Sequence, residues 1–372
     1  MTIETQHPEL IVEHLASGWL IIRLNRPKAL HALDESLAKA VADVLIAAEV
    51  HREIKAVWLD SSTPKAFCAG GDVRQLRTLM LEGKPDEAKA FFKEEYIADL
   101  KLHQLTKPIV TWGEGYVMGG GMGLMMGSSS RLVTPSSRLA MPEITIGLFP
   151  DVGGSRFLAQ SGIFGLFLGL TGVMIDAGDA HLLNWATHQI TSNKDTVLAR
   201  LQQIDWSAAE DAVTAERRIS DALAGLHQPQ VGAQLTPHLK AIAALNLGRD
   251  FLQDYQALTA LSESPDPWLA QAGQNLKNGS PSSAALTWLL WQWARETSRP
   301  WAQVFHLERQ LAEWKISHPD FNEGVRARLV DKDNAPKWQV TAPESLAHAL
   351  CGVPVTDDAS WMAVLQRYHV VG

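Results

Sequence analysis

Three times in the first 130 residues a short apolar run gives way to a turn and then to a segment of helical periodicity. Trp19-Leu20-Ile21-Ile22-Arg23-Leu24 consists largely of strand-forming residues, and Asn25-Arg26-Pro27 ends it because proline has no N–H for a sheet ladder. Asp34 stands where a helix needs a cap, and Leu37, Val41, Leu45 and Ala48 then recur at helical spacing. Ala56 to Asp60 reads as a buried strand, followed by a loop closing on Phe67-Cys68-Ala69-Gly70-Gly71-Asp72 and a helical stretch. Pro108 to Trp112 begins the third unit, with Gly119-Gly120-Gly121 and the apolar helix Met122 to Met126 after it. Strands that alternate with helices predict the α/β class.

Between the second and third units, Arg74 to Leu105 is charged and helix-prone around Phe91, Phe92 and Tyr96, which predicts a surface helix pair over the core. From about residue 195 the chain reads as almost wholly helical, with Leu286, Leu289, Leu290 and Trp293 as an apolar face and breaks at Ser262–Pro267 and Ser280–Ser283. The expected organisation is an α/β core over 1–195 carrying the site, and a mainly helical region over 196–372 packed on it.

With 372 residues, 46% of them hydrophobic and 20% charged, the chain has material for a large core. Its 41 acidic and 33 basic residues are scattered along a net charge of -8, which argues against a nucleic-acid or anionic-membrane surface. Cys68 and Cys351 are too few and too far apart for a disulfide framework and are expected to be reduced thiols. Met1 to Leu10 lacks the pattern of a signal peptide, and no stretch approaches the roughly 18 apolar residues of a membrane span. The expectation is a cytoplasmic protein.

Gly70-Gly71 and Gly119-Gly120-Gly121 each follow a strand and precede a helix, where backbone N–H groups are exposed and glycine lets a ligand approach them closely. Two such turns brought together can form an oxyanion hole, each donor of which is worth roughly 2.7 to 4 kcal/mol in the transition state. Tight turns with close helix packing are the structural alternative. The glycine spacing does not complete a dinucleotide-binding fingerprint, and no Walker sequence is present. Glu143 and Asp151 are embedded in the apolar, Gly/Pro-shaped segment from Ala140 to Gly154. Burial raises a carboxyl pKa, which makes both candidates for acid-base or nucleophilic work, with a capping Asp and a salt-bridged Glu as the alternative. The thirteen histidines show no metal-ligand spacing and no nucleophile elbow occurs, so neither a metal site nor a hydrolase triad is expected. His31 reads as a turn or core histidine and Cys68 as a small core residue.

Leu24-Asn25-Arg26-Pro27-Lys28-Ala29-Leu30, Phe67 to Asp72, Gly119-Gly120-Gly121 and Pro142-Glu143 through Gly154, in this order, resemble the crotonase, or enoyl-CoA hydratase/isomerase, superfamily. The resemblance implies a spiral of ββα units with an extended helical C-terminal region, and an acyl-CoA thioester held by the N–H groups of Gly71 and Gly120. Coenzyme A enters as part of the substrate, and no separate cofactor is implied. Hydratases of the superfamily carry a second glutamate three residues after the position of Gly120, and here that position is Gly123. Phe91 to Tyr96, Met118 to Gly123, Ile146 to Gly154 and the late segments Asp320 to Arg326, Leu329 to Asp333 and Pro336 to Trp338 are instead similar to the 3-hydroxyisobutyryl-CoA hydrolase branch. That similarity implies catalytic Glu143 and Asp151, substrate-binding Glu95, and a thioester hydrolysis belonging to valine catabolism. His31, where the superfamily often has Asn, is a minor departure. An enoyl-CoA isomerase and a non-catalytic acyl-CoA-binding protein are the alternatives, and the oligomeric state is left open between a monomer and a homo-oligomer.

Overall fold

The structure, a computed structural model, describes residues 3, 5, 7–208, 211–295 and 299–339. Cys351 lies outside the described residues. The strands are β1 (Leu10–His14), β2 (Trp19–Leu24), β3 (Ala56–Ser61), β4 (Ala66–Cys68), β5 (Ile109–Gly113), β6 (Tyr116–Met118), β7 (Ser130–Val133), β8 (Arg138–Ala140), β9 (Ile175–Asp176) and β10 (His188–Gln189). They form a six-stranded sheet in the order β1-β2-β3-β5-β7-β10 and a four-stranded sheet in the order β4-β6-β8-β9.

In each of the pairs β3/β4, β5/β6 and β7/β8 the first strand joins the larger sheet and the second the smaller. Parallel pairing runs through β2-β3, β3-β5 and β5-β7, so each unit lies beside the last and the chain advances sideways as a spiral of ββα units. The fold class implied by the sequence is therefore the observed one. All six residues of β3 are buried, as expected for a parallel strand covered on both faces, and Trp58 stacks on Trp112 with ring centroids 6.0 Å apart. Asp60, fully buried in β3, is held by Arg23 at 2.6 and 2.9 Å, by Lys194 at 3.0 Å and by the Trp58 indole N–H at 3.0 Å. Helix Glu35–Val50 is capped by Asp34, which accepts from Leu37 N, and it buries Leu37, Val41, Leu45 and Ala48 as their spacing predicts.

Two compact units divide the chain. One comprises Met1–Gly71, Lys93–Leu139 and Ile175–Pro237 and contains every strand except Ala140 at the end of β8; the other comprises Asp72–Phe92, Ala140–Met174 and His238–Gly372. The chain is thus interleaved rather than cut once near residue 195. Helix Val73–Leu81 sits with the second unit because Arg74 and Arg77 donate to the carbonyls of Leu329 and Asn322. Helix Pro85–Gln104 is not the surface element its charges suggest. Its inward side buries Phe91, Phe92, Tyr96, Ala98 and Leu102 together with the carboxylates Glu95 and Asp99.

Both sequence breaks in the late region are helix starts. Pro267 opens helix Pro267–Asn278 behind the cap Asp266, and Pro281 opens helix Pro281–Ala294 behind the cap Ser280. The second of these is buried nearly all round rather than along one face, which marks it as the centre of the second unit.

Candidate active site

In the first unit the two glycine turns lie side by side. Strand β4 pairs in parallel with β6, so the turns that follow them leave the sheet together. Gly70 (φ 98) and Gly119 (φ 51) both adopt left-handed backbone, and a Cβ at Gly70 would lie 3.2 Å from Met118 O and 3.4 Å from Gly120 N. A bridge between Leu33 and Gly71 and the bond from Leu33 N to Gly70 O at 2.9 Å fix the first turn. Gly120 is the first residue of helix Gly120–Met126, so its N–H has no carbonyl four residues back within the helix to donate to. Glu95 reaches this place from helix Pro85–Gln104: a Cβ on Gly120 would collide with Glu95 Oε1. Gly71, Gly120 and Glu95 are therefore neighbours in one unit.

Glu143 and Asp151 belong to the other unit. Pro142 breaks the chain after β8 and starts the short 3-10 helix Glu143–Ile146, which Gly147 (φ 74) ends in left-handed backbone. Three contacts brace this turn from the late helices. Ser280 N donates to Ile144 O at 3.0 Å, and a Cβ on Gly147 or on Gly324 would strike Asp320 O or the Ile146 backbone respectively. Asp320 is itself buried and accepts from Ser280 and Ser282 Oγ at 2.8 and 2.9 Å, while Ser282 Oγ accepts from the fully buried Lys315 at 2.5 Å. Burial pulls the Lys315 ammonium down to about 8, partly opposed by Asp320.

Glu143 is 5% exposed, and its Oε2 accepts no hydrogen bond from the described residues. Burial, and after it the charge of Asp151, push its carboxyl well above the ordinary carboxylate range. A poorly solvated carboxylate of this kind is both a stronger base and a better nucleophile than one in water. Asp151 is buried as well, and the two residues after it, Val152 (φ 52) and Gly153 (φ 84), are left-handed. For a β-branched residue such as Val152 that conformation costs roughly 1–3 kcal/mol.

What holds this turn is a residue that sequence reading missed. Glu308, fully buried in helix Trp301–Ser317, accepts from Gly153 N at 2.6 Å, from Ser155 N at 3.0 Å and from Ser155 Oγ at 2.5 Å. Burial raises its carboxyl to about 8 against the lowering effect of these donors, with the charge of Asp151 adding to the rise. The signal was in the sequence: Val304, Phe305, Leu311 and Ala312 mark an apolar stripe, and Glu308 and Lys315 are charged residues on that same stripe.

His31 is buried at a turn, where its Nδ1 accepts from Arg26 N and its Nε2 meets Thr63 Oγ1 at 2.8 Å. Burial pushes the Cys68 thiol up to about 12, which makes it an inert core residue. Among the described residues no group of three His, Cys, Asp or Glu side chains is arranged to hold a metal ion.

A model of the enoyl-CoA hydratase/isomerase family matches residues 19–351. The chain is 31% identical to 3-hydroxyisobutyryl-CoA hydrolase, mitochondrial, of Mus musculus over 91% of its own length and 86% of that protein. It is 32% identical to probable 3-hydroxyisobutyryl-CoA hydrolase 2 of Arabidopsis thaliana, over 95% and 94% of the two chains. Among solved structures, an enoyl-CoA hydratase from Rhodobacter sphaeroides 2.4.1 superposes with a TM-score of 0.79 at 28% identity, covering 97% of this chain and 98% of that one. A carnitinyl-CoA dehydratase from Mycobacterium thermoresistibile gives 0.78 at 26%, covering 96% of each chain. With its ββα spiral, its paired glycine turns and a match running over residues 19–351, this chain belongs to the enoyl-CoA hydratase/isomerase family.

Proposed function

We propose that the protein hydrolyses the thioester of a short 3-hydroxyacyl-CoA, with 3-hydroxyisobutyryl-CoA as the favoured substrate, releasing 3-hydroxyisobutyrate and free CoA in valine catabolism. The observation that carries this reading is the helix Gly120–Met126. It is glycine and apolar residue throughout and offers no carboxylate at Gly123, where the hydratases of the family carry their second glutamate. Adding water across a double bond with two carboxylates is thereby disfavoured, even though one structural relative is named an enoyl-CoA hydratase. Curated relatives named as hydrolases, from vertebrates and from a plant, support the same choice.

In this reading the N–H groups of Gly71 and Gly120 donate to the thioester carbonyl oxygen and stabilise the negative charge that develops there. Glu143 either attacks the carbonyl carbon, expelling CoA thiolate and leaving a mixed anhydride that water then cleaves, or takes the proton of the attacking water directly. Asp151 orients that water and manages its proton, and Glu95 receives the 3-hydroxyl. Heavy-isotope water in a single turnover separates the two routes, because only the anhydride leaves label in Glu143. We place the reaction in the cytoplasm on composition alone; the vertebrate relatives carry "mitochondrial" in their names. Among the described residues no helix is long and apolar enough to cross a membrane.

The test is thiol release from 3-hydroxyisobutyryl-CoA, followed alongside the ultraviolet absorbance of an enoyl-CoA substrate. Thiol release without an absorbance change supports the hydrolase. An absorbance change without thiol release replaces it with the isomerase, which needs only one carboxylate and an oxyanion hole, and neither signal at any pH leaves an acyl-CoA-binding protein.

A further inference from the structure

The turn that follows Asp151 is held in an unfavourable backbone conformation by a residue distant in sequence. Val152 is β-branched, buried and at φ 52, and Gly153 continues in left-handed backbone at φ 84. On its inner side the turn is closed by Gly154 N donating to Asp151 O at 2.7 Å. On the other side both oxygens of Glu308 are engaged, Oε2 by Gly153 N and Oε1 by the N–H and hydroxyl of Ser155. The same helix sets Trp301 and Phe305 against Gly153, where a Cβ would come within 3.1 Å of the Trp301 ring. A carboxyl with no access to solvent is costly to ionise, and an apolar residue would fill the same volume without a polar group to satisfy. Strained backbone beside a reacting group persists only where its surroundings over-determine it, and here Glu308 supplies three of the bonds that do so.

We propose that Glu308 is a positioning residue for Asp151: by fixing the left-handed turn through Val152 it sets the direction of the Asp151 carboxylate, and hence the rate of the hydrolytic step, without touching the thioester. The proposal rests on the hydrolase reading for its kinetic consequences, and on the geometry of the turn alone for its structural ones.

The test is a double-mutant cycle on the full chain, using Glu308→Gln, Asp151→Asn and the pair, with kcat and KM measured for 3-hydroxyisobutyryl-CoA. Glu308→Gln keeps the volume but turns amide hydrogens toward N–H donors. It is expected to lower kcat at least tenfold with KM within threefold of wild type, and to have no further effect on top of Asp151→Asn, because a residue that acts only through Asp151 has nothing left to act on. Independent multiplication of the two losses overturns the proposal, as does wild-type kcat in a folded Glu308→Gln variant. Ser155→Ala removes one donor and leaves both backbone bonds; it is expected to lower kcat a few-fold in the same Asp151-dependent way. It decides the matter by itself if Glu308→Gln does not fold, and full activity in it then counts against the proposal. Amide hydrogen exchange at Gly153 and Ser155 reads the turn without any substrate. Faster exchange confined to this turn in Glu308→Gln supports the positioning role even if no thiol is released by wild type, an outcome that defeats only the proposed function. Unchanged exchange in the folded variant overturns the role.

Discussion

Gly120 and Gly121 are adjacent, both buried and chemically identical, yet a methyl group added to each would meet different neighbours. At Gly120 it would collide with the Glu95 carboxylate and lie 3.5 Å from Leu33 Cδ1; at Gly121 it would collide with the Cys68 carbonyl and sit 2.9 Å from Cys68 Cβ. The first collision is with the end of a side chain proposed to bind substrate, the second with the backbone of β4. Gly120→Ala is therefore expected to displace Glu95 and shift the Gly120 N–H away from the thioester oxygen. Loss of one such donor costs about 2.7–4 kcal/mol of transition-state stabilisation, so kcat should fall roughly 10²–10³-fold. Gly121→Ala is expected to act chiefly on the fold, since forcing β4 and helix Gly120–Met126 apart costs roughly 1–3 kcal/mol, as overpacking does elsewhere. In a unit of this size that lowers Tm by several degrees, at roughly 2–4 °C per kcal/mol. Kinetics by thiol release and melting by circular dichroism on the two variants give the comparison. A Gly120→Ala variant that turns over at the wild-type rate refutes the placement of the oxyanion donor, and equal effects of both substitutions on Tm and kcat refute the distinction.

Glu143→Gln is expected to abolish most turnover while leaving substrate affinity, measured by calorimetry, within a few-fold; retained activity would move the catalytic carboxylate elsewhere. In the proposed mechanism ionised Glu143 is the working form, so activity is expected above its raised pKa and should be lost as pH falls through it. Asp151→Asn removes the second cause of that rise, after burial, and the acid limb of kcat/KM in the residual activity should move to lower pH; a limb that stays or moves upward contradicts the coupling. Glu308 has a folded pKa of about 8, above the ordinary 4.5, so its contribution to stability is complete below about pH 4.5 and is lost as pH rises to 8. The difference in Tm between Glu308→Gln and wild type should therefore shift in favour of the variant from pH 5 to pH 8, and a constant difference would mean that the buried carboxyl does not titrate there. Asp60→Ala should destabilise the protein by about 3 kcal/mol, the lower end for a broken buried pair because Arg23, 24% exposed, can turn toward water; urea unfolding showing no loss would make the cluster around Asp60 dispensable.

The local pattern of the sequence carried a good deal of this protein. Strand propensity and proline placed β2, β3 and β5 to within about a residue, and Asp34 and the Leu37-Val41-Leu45-Ala48 spacing placed the first helix. These features are encoded within a turn or two of chain. The three-residue strands β4, β6 and β8 were invisible to the same reading, because three residues show no alternation and their pairing partners lie 20 or more positions away. Charge misled at helix Pro85–Gln104, where Glu95 and Asp99 look like solvated residues and are buried.

Strand-helix alternation and motif order by themselves pointed to the α/β class, the family and Gly71, Gly120, Glu95, Glu143 and Asp151 as candidate site residues. Tertiary structure alone decided what each of them rests on. Glu95 is 25 residues before Gly120, and Glu308 is 155 residues from Gly153, yet each pair is in contact range. A helical stripe specifies which face of Trp301–Ser317 turns inward; which backbone N–H groups its buried carboxylate meets there depends on how helices distant in sequence pack, and no local pattern contains that information.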